Sequence, residues 1–166
     1  MRVRFTLYLF ITLFLFQGCI GGESTLSDTE KRLVEEYIFL DWEGNEVAVS
    51  DFRGSVVVID FWESWCGPCL SAVPGFQKAL NEADGDLVII AATTGWTEGR
   101  DEVMQFKENN DYDFIFVRGR ALTASLGFNG IPFKIILDRE GKYLSSHSGS
   151  AGAEREYEFL MELLSK

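Results

Sequence analysis

The sequence predicts an α/β domain, and two observations carry that expectation. Short apolar runs rich in Val and Ile alternate with longer segments whose apolar residues recur at helical spacing, the pattern of strands joined by helices. The 166 residues, 46% of them hydrophobic, suffice for one domain with a core of its own and are too few for two of ordinary size. No internal repeat or second linker interrupts the series.

Each element has its own signal. Residues 38–40 and 47–49 flank Glu43-Gly44-Asn45 and read as a hairpin. Residues 56–62 form a continuous apolar run, as expected of a strand buried on both faces. From Pro68 to about Ala83, Val73, Phe76, Ala79 and Leu80 recur at helical spacing, and Asp84-Gly85-Asp86 ends the helix. A strand over 87–92 precedes a helix over 100–109 with Val103 and Phe106 inward. A strand over 114–117, a helix over 121–126 and strands over 133–137 and 143–147 follow, the last two joined by Asp138-Arg139-Glu140-Gly141 and hence antiparallel. A closing amphipathic helix over 154–165 places Tyr157, Leu160, Met161 and Leu164 on one stripe.

The amino terminus reads as an export signal. Arg2 and Arg4 precede an apolar run over 5–16, and Gln17-Gly18-Cys19 provides the exit. Twelve residues span about 18 Å as a helix, short of the roughly 30 Å core of a bilayer, so the run is a poor permanent anchor. Without Arg2 and Arg4, the 15 basic residues become 13 against 26 acids, a net charge of -13. That balance excludes nucleic acid as a partner, since phosphate binding needs clustered Lys and Arg. Residues 16–19 resemble the prokaryotic lipoprotein box at Gly18 and Cys19, while Phe16 and Gln17 depart from it. The resemblance implies cleavage after residue 18 and lipid on Cys19, with a flexible tether over 19–36 and the folded domain over 37–166. A secreted protein with an incidental Cys19 is the alternative. Lipid on Cys19 leaves Cys66 and Cys69 as an even pair with no stray thiol in an oxidising compartment.

Chemistry concentrates in Trp65-Cys66-Gly67-Pro68-Cys69, between the buried strand and the long helix. Two cysteines three apart at a helix start can close a disulfide with little strain. A helix N-terminus offers unpaired N–H groups and a favourable dipole to a thiolate, which makes Cys66 the expected attacking thiol. Cys69, one turn deeper, is the expected resolving thiol. Gly67 permits close approach of a second chain, and Pro68 presets a helical dihedral where its missing N–H costs little. A Cys-x-x-Cys is also half of many zinc sites, but there is no second one here and His147 is the sole histidine.

Residues 58–69, Val-Ile-Asp-Phe-Trp-Glu-Ser-Trp-Cys-Gly-Pro-Cys, with Pro74 five residues on, resemble the thioredoxin active site. The hairpin leading to Val49-Ser50-Asp51-Phe52-Arg53-Gly54, and the long stretch before Gly130-Ile131-Pro132, resemble the TlpA/ResA branch of extracytoplasmic, membrane-tethered thioredoxins. The resemblance covers about Tyr37 to the end. It implies a thioredoxin-like fold, a central mixed sheet flanked by helices, with an N-terminal hairpin and a strand-helix insertion at roughly 96–117.

It also implies thiol:disulfide exchange with exported proteins, leaning toward reduction and possible service in cytochrome c maturation, with electrons from a membrane carrier of the CcdA/DsbD type. A monomer without cofactor or metal is expected, tethered at the outer face of the cell membrane. Pro132 matches the family's cis-proline, Ile131 the residue offering main-chain groups to substrate, and Asp60 the buried acid that relays a proton as Cys69 is activated. Trp65 is the expected wall of the site. Ala72 stands where many of these proteins carry Glu, which leaves the acid role to Asp60, and Phe133 replaces the usual small residue or Thr after the proline. Two rival readings remain: a copper-relay module using Cys66, Cys69 and His147, and a peroxiredoxin-type peroxidase, whose usual Thr-x-x-Cys loop this sequence lacks.

Overall fold

A computed structural model describes residues 25–166, in the order α1 (Asp28–Glu35), β1 (Ile38–Leu40), β2 (Glu46–Ala48), β3 (Val56–Trp62), α2 (Gly67–Glu82), β4 (Leu87–Thr93), α3 (Arg100–Asn109), β5 (Ile115–Arg118), α4 (Arg120–Leu126), β6 (Phe133–Leu137), β7 (Tyr143–Ser148) and α5 (Ala153–Leu164). The export signal expected over 1–18 and Cys19 lie outside the described residues. Five strands form one mixed sheet in the order β5-β4-β3-β6-β7. β3, β4 and β5 run parallel, joined through α2 and α3, while β6 and β7 are antiparallel to their neighbours. The expected mixed sheet is present, while the stretch expected as a strand-helix insertion holds a helix followed by a strand: the α3–β5 unit supplies the edge strand, which begins one residue late because pairing with β4 starts at Ile115.

Every residue of β3 is buried, and its side chains alternate between two cores. Val56, Val58 and Trp62 pack with Val73 and Phe76 of α2, Val103 of α3 and Leu160 of α5. Val57, Ile59 and Phe61 face the other way, toward Val34 of α1, Phe39 of β1, and Leu122 and Leu126 of α4. The β1–β2 hairpin covers the outer edge of β5, with Asp41 bridged to Val117, which shields that edge from a second chain.

The tether expected over 19–36 is corrected over its latter part, where residues 28–35 form α1. A capping box starts the helix. The Ser27 side chain accepts from Glu30 N–H at 3.3 Å, and Glu30 Oε2 accepts from Ser27 N–H at 2.7 Å. Val34 is fully buried, and Glu35 accepts from Lys142 Nζ at 2.8 Å and Tyr143 N–H at 3.0 Å, which ties the helix to the start of β7. The Lys142 hydrogen bond holds the Glu35 carboxyl below its ordinary pKa. The Ser-x-x-Glu signature was present in the sequence, but the polar stretch before it masked it.

α2 and α5 approach closely at Gly75. A Cβ there would lie 2.0 Å from the main-chain oxygen of Ala153, at the start of α5. Gly75→Ala is therefore expected to destabilise the fold by about 2 kcal/mol, the middle of the range for overpacking. The measurement is a lower urea midpoint at unchanged m-value.

Candidate active site

The chain leaves the carboxyl end of β3 at Trp62, crosses Glu63, Ser64 and Trp65, and enters α2 with Cys66 as its N-cap. Cys66 Sγ accepts the N–H of Cys69 at 3.2 Å, which places the sulfur on the unpaired donors of the first helical turn. Cys66 and Cys69 are joined as a disulfide, with Cα atoms 5.2 Å apart. Cys69 is fully buried, and Cys66 retains 3% exposure. Gly67 and Pro68 are exposed in the first turn of α2. Trp65 is 57% exposed, an open indole next to the sulfur that meets solvent.

A second loop closes on this corner. The Ile131–Pro132 peptide bond is cis, as the family resemblance implies. Pairing of β6 with β3 starts at Phe133 opposite Phe61, so Ile131 and Pro132 sit where the chain departs β3 for Cys66. Phe133 stacks on Phe128 at 4.4 Å and turns into the α4-side core. Ala72 is fully buried on the α2 side, and the position carries no acid to the site.

Asp60 lies on the α2 face of β3, the same face as Cys69, and is 4% exposed. Its Oδ1 has no hydrogen-bond partner. Burial pushes its pKa up to about 7; the Lys134 charge opposes the rise and the Glu156 charge adds to it. Lys134 is the residue of β6 paired with Asp60. Lys134 Nζ reaches Glu156 of α5 at 2.5 Å and the main-chain oxygen of Gly149 at 3.0 Å, and all three charged residues are buried. Sequence reasoning missed Lys134 and Glu156. The one available signal was a lysine inside the apolar run 133–137.

Glu63 was missed as well. It is fully buried and accepts four hydrogen bonds. Its Oε1 takes the Thr94 hydroxyl and, at 2.9 Å, the Trp96 N–H. Its Oε2 takes the Thr97 hydroxyl at 3.0 Å and the Trp65 indole N–H at 3.1 Å, and the same indole N–H lies 2.7 Å from Thr97 Oγ1. The opposite grip comes from Glu98, which accepts from the Ser64 N–H at 2.8 Å and from the Ser64 hydroxyl. The loop carrying Cys66 is thus fastened in both directions to the β4–α3 loop. An acid at the mouth of an apolar strand was legible in the sequence, but its partners Thr94, Trp96 and Thr97, more than 30 residues away, were not.

His147 sits on β7 with Ser145 Oγ 2.9 Å from its Nε2 and the Phe159 ring at 5.0 Å. Strand β6 separates β7 from β3. Among the described residues no three His, Cys, Asp or Glu side chains cluster as a metal site.

Comparison with known proteins agrees with this geometry. The Redoxin family model matches residues 30–159. The thiol-disulfide oxidoreductase ResA of Bacillus cereus is 24% identical over 173 residues, covering 98% of this chain and 99% of its own. Among solved structures, a protein described as a thiol:disulfide interchange protein DsbE from Chlorobium tepidum is 26% identical, covers 78% of this chain and 92% of its own, and superposes with a TM-score of 0.65. The exposed lipoprotein thioredoxin Etrx1 of Streptococcus pneumoniae is 24% identical, covers 77% and 99%, and superposes at 0.62. From residue 30 to residue 159 the chain belongs to the Redoxin family, and it is a TlpA/ResA-like member of the thioredoxin superfamily.

Proposed function

We propose that this protein is a thiol:disulfide oxidoreductase that exchanges disulfides with exported proteins through Cys66 and Cys69 and runs chiefly as a reductant. The observation that carries the reading is the Cys66–Cys69 disulfide at the amino end of α2, with Cys66 Sγ on the Cys69 N–H and the cis Ile131–Pro132 bond alongside.

In the reduced protein, the helix N-terminus favours the Cys66 thiolate. That thiolate attacks one sulfur of a substrate disulfide, and the other substrate sulfur leaves as a thiolate. Cys69 then attacks Cys66 Sγ. The second substrate thiolate departs, the Cys66–Cys69 disulfide forms, and the substrate has gained two electrons. Asp60, with no partner at Oδ1 and its pKa raised to about 7, is the base that takes the Cys69 proton. Trp65, Gly67 and Pro68 form the exposed rim on which a substrate chain lies, and main-chain groups of Ile131 receive it as an added strand.

The reading extends to place and partners. The expected lipid on Cys19 would hold the domain at the outer face of the membrane as a monomer, and a membrane carrier of the CcdA/DsbD type would return electrons to the pair. Apocytochrome c is a fitting client. Among the described residues no helix is long and apolar enough to cross a membrane. If lipid on Cys19 holds the protein at the membrane, Cys19→Ala is expected to move it from the membrane pellet to the soluble fraction.

Cys66→Ser is expected to abolish reduction of a disulfide-linked peptide, and Cys69→Ala to accumulate the mixed disulfide, visible as a mass adduct on Cys66. Peptide reduction surviving in Cys66→Ser overturns the assignment. A reduction potential near about -270 mV or lower supports the reductant direction, and one near about -120 mV reverses it.

Asp60→Asn is expected to slow resolution by about 100-fold at pH 7, the low end of what a general base contributes, and to flatten the rise in rate across pH 6–8. Stability gives an independent reading. The folded protein holds the Asp60 proton to about pH 7, whereas an unfolded chain releases it near the ordinary 3.8. Between those values the unfolded state binds fewer protons, so stability falls as pH rises through the window and levels off above it. Asp60→Asn is expected to remove this loss, on the order of 4 kcal/mol in total, from urea titrations at pH 4 and pH 8.

A further inference from the structure

Glu63 has no part in the exchange steps, yet four donors converge on its buried carboxylate. All of them are uncharged: two threonine hydroxyls, one main-chain N–H and one indole N–H. Burying a carboxylate is costly unless its oxygens are satisfied, and here each oxygen takes two hydrogen bonds. A loop that only had to close could do so with a small apolar residue at no such cost.

The Trp65 side chain explains what the arrangement achieves. The residue is 57% exposed, so core packing does not dictate where the indole lies. Its orientation is set instead by the indole N–H, held between Glu63 Oε2 at 3.1 Å and Thr97 Oγ1 at 2.7 Å. Thr97 in turn donates to Glu63, which closes a triangle of hydrogen bonds. The other oxygen of the same carboxylate takes the main-chain N–H of Trp96, itself 42% exposed and set edge-on to Phe128 at 6.4 Å. Glu98 secures Ser64, between the two, from the facing loop. The Trp65 indole next to Cys66 and the main chain of Trp96 are thereby held by one buried group. Beyond Trp96 a cavity of about 280 Å³, lined by Thr94, Arg120, Thr123 and Phe128, continues the surface.

We infer that Glu63 is a positioning residue of the exchange site: through the Trp65 indole and the Trp96 main chain it holds a preformed aromatic wall beside Cys66, against which the polypeptide flanking a substrate disulfide docks. This rests on the oxidoreductase reading and adds a determinant for polypeptide over small disulfides. A wall ordered before binding spares the substrate the entropy of ordering it. A small disulfide that reaches Cys66 without touching the wall gains nothing from it.

The test uses the prereduced protein with two substrates, a disulfide-linked peptide of about ten residues bearing an apolar residue next to each cysteine, and hydroxyethyl disulfide. Glu63→Gln keeps the size of the side chain but turns an NH2 toward one of the two donor pairs, whichever way the amide lies. Thr97→Val removes the other anchor of the indole from an exposed loop position, and carries the test should Glu63→Gln fail to fold. Each is expected to raise KM for the peptide about fivefold, the factor of one ordered side chain, with kcat for the peptide and all constants for hydroxyethyl disulfide unchanged. In a Trp65→Phe background, which lacks the indole N–H, Thr97→Val is expected to have no further effect on KM.

An unchanged peptide KM in the folded variants, an equal loss on both substrates, or a Thr97→Val effect that persists in Trp65→Phe would overturn the inference. Exchange that survives Cys66→Ser would instead sink the oxidoreductase reading, and with it the inference, so the two failures are told apart by that one control.

Discussion

Strand β3 has no side that faces water. Helices α2, α3 and α5 cover one face, and α1, the hairpin and α4 the other, so alternate residues from Val56 to Trp62 belong to different cores. Such a strand accepts only side chains that are apolar or held by partners. Asp60 is the exception, and the exception matters because of where alternation puts it. As an even-numbered residue it faces α2, with Cys69 on the same side. The burial that secures the fold is the same burial that raises its proton affinity.

Three buried acids near the site are accommodated by different physics. Glu156 meets a lysine at 2.5 Å, so its charge is balanced within the sheet–α5 interface. Glu63 has no such cation among its hydrogen-bond partners, which are four neutral donors from the active-site and β4–α3 loops. Asp60 has an oxygen with no partner and retains its proton to about pH 7. A carboxyl whose oxygens are held by partners is a structural brace, whereas one such as Asp60, with burial raising its pKa to about 7, can move a proton. Only Asp60 combines a missing partner with a place on the disulfide's side of β3.

The rim of the site is organised by connections that run perpendicular to the strands. The active-site loop and the β4–α3 loop exchange hydrogen bonds in both directions, and the cis Ile131–Pro132 bond brings a third segment to the same corner. Loops of this kind carry function because a rigid scaffold aims them. Here the scaffold is the parallel β3–β4 pair, whose carboxyl ends release both loops side by side. Phe133 shows the same logic in reverse. Its size would crowd a groove, yet the pleat of β6 directs it into the opposite core, where it stacks on Phe128.

The sequence by itself determined the α/β class, nearly every strand and helix, the Cys66–Cys69 pair at a helix start and the antiparallel pairing of the last two strands. These are local facts, written in periods of two and 3.6 and in spacings of a few residues. It also carried the Ser27–Glu30 cap of α1, which went unread because a polar, glycine-containing stretch precedes it. Tertiary structure alone decided what surrounds the reactive pair. Lys134 reaches Glu156 across 22 residues, Glu63 reaches Thr94, Trp96 and Thr97 across more than 30, and the face toward which Phe133 turns follows from its register with Phe61. Each of these depends on which strands become neighbours, and strand neighbourhood arises from the packing of the whole chain, which no local period encodes.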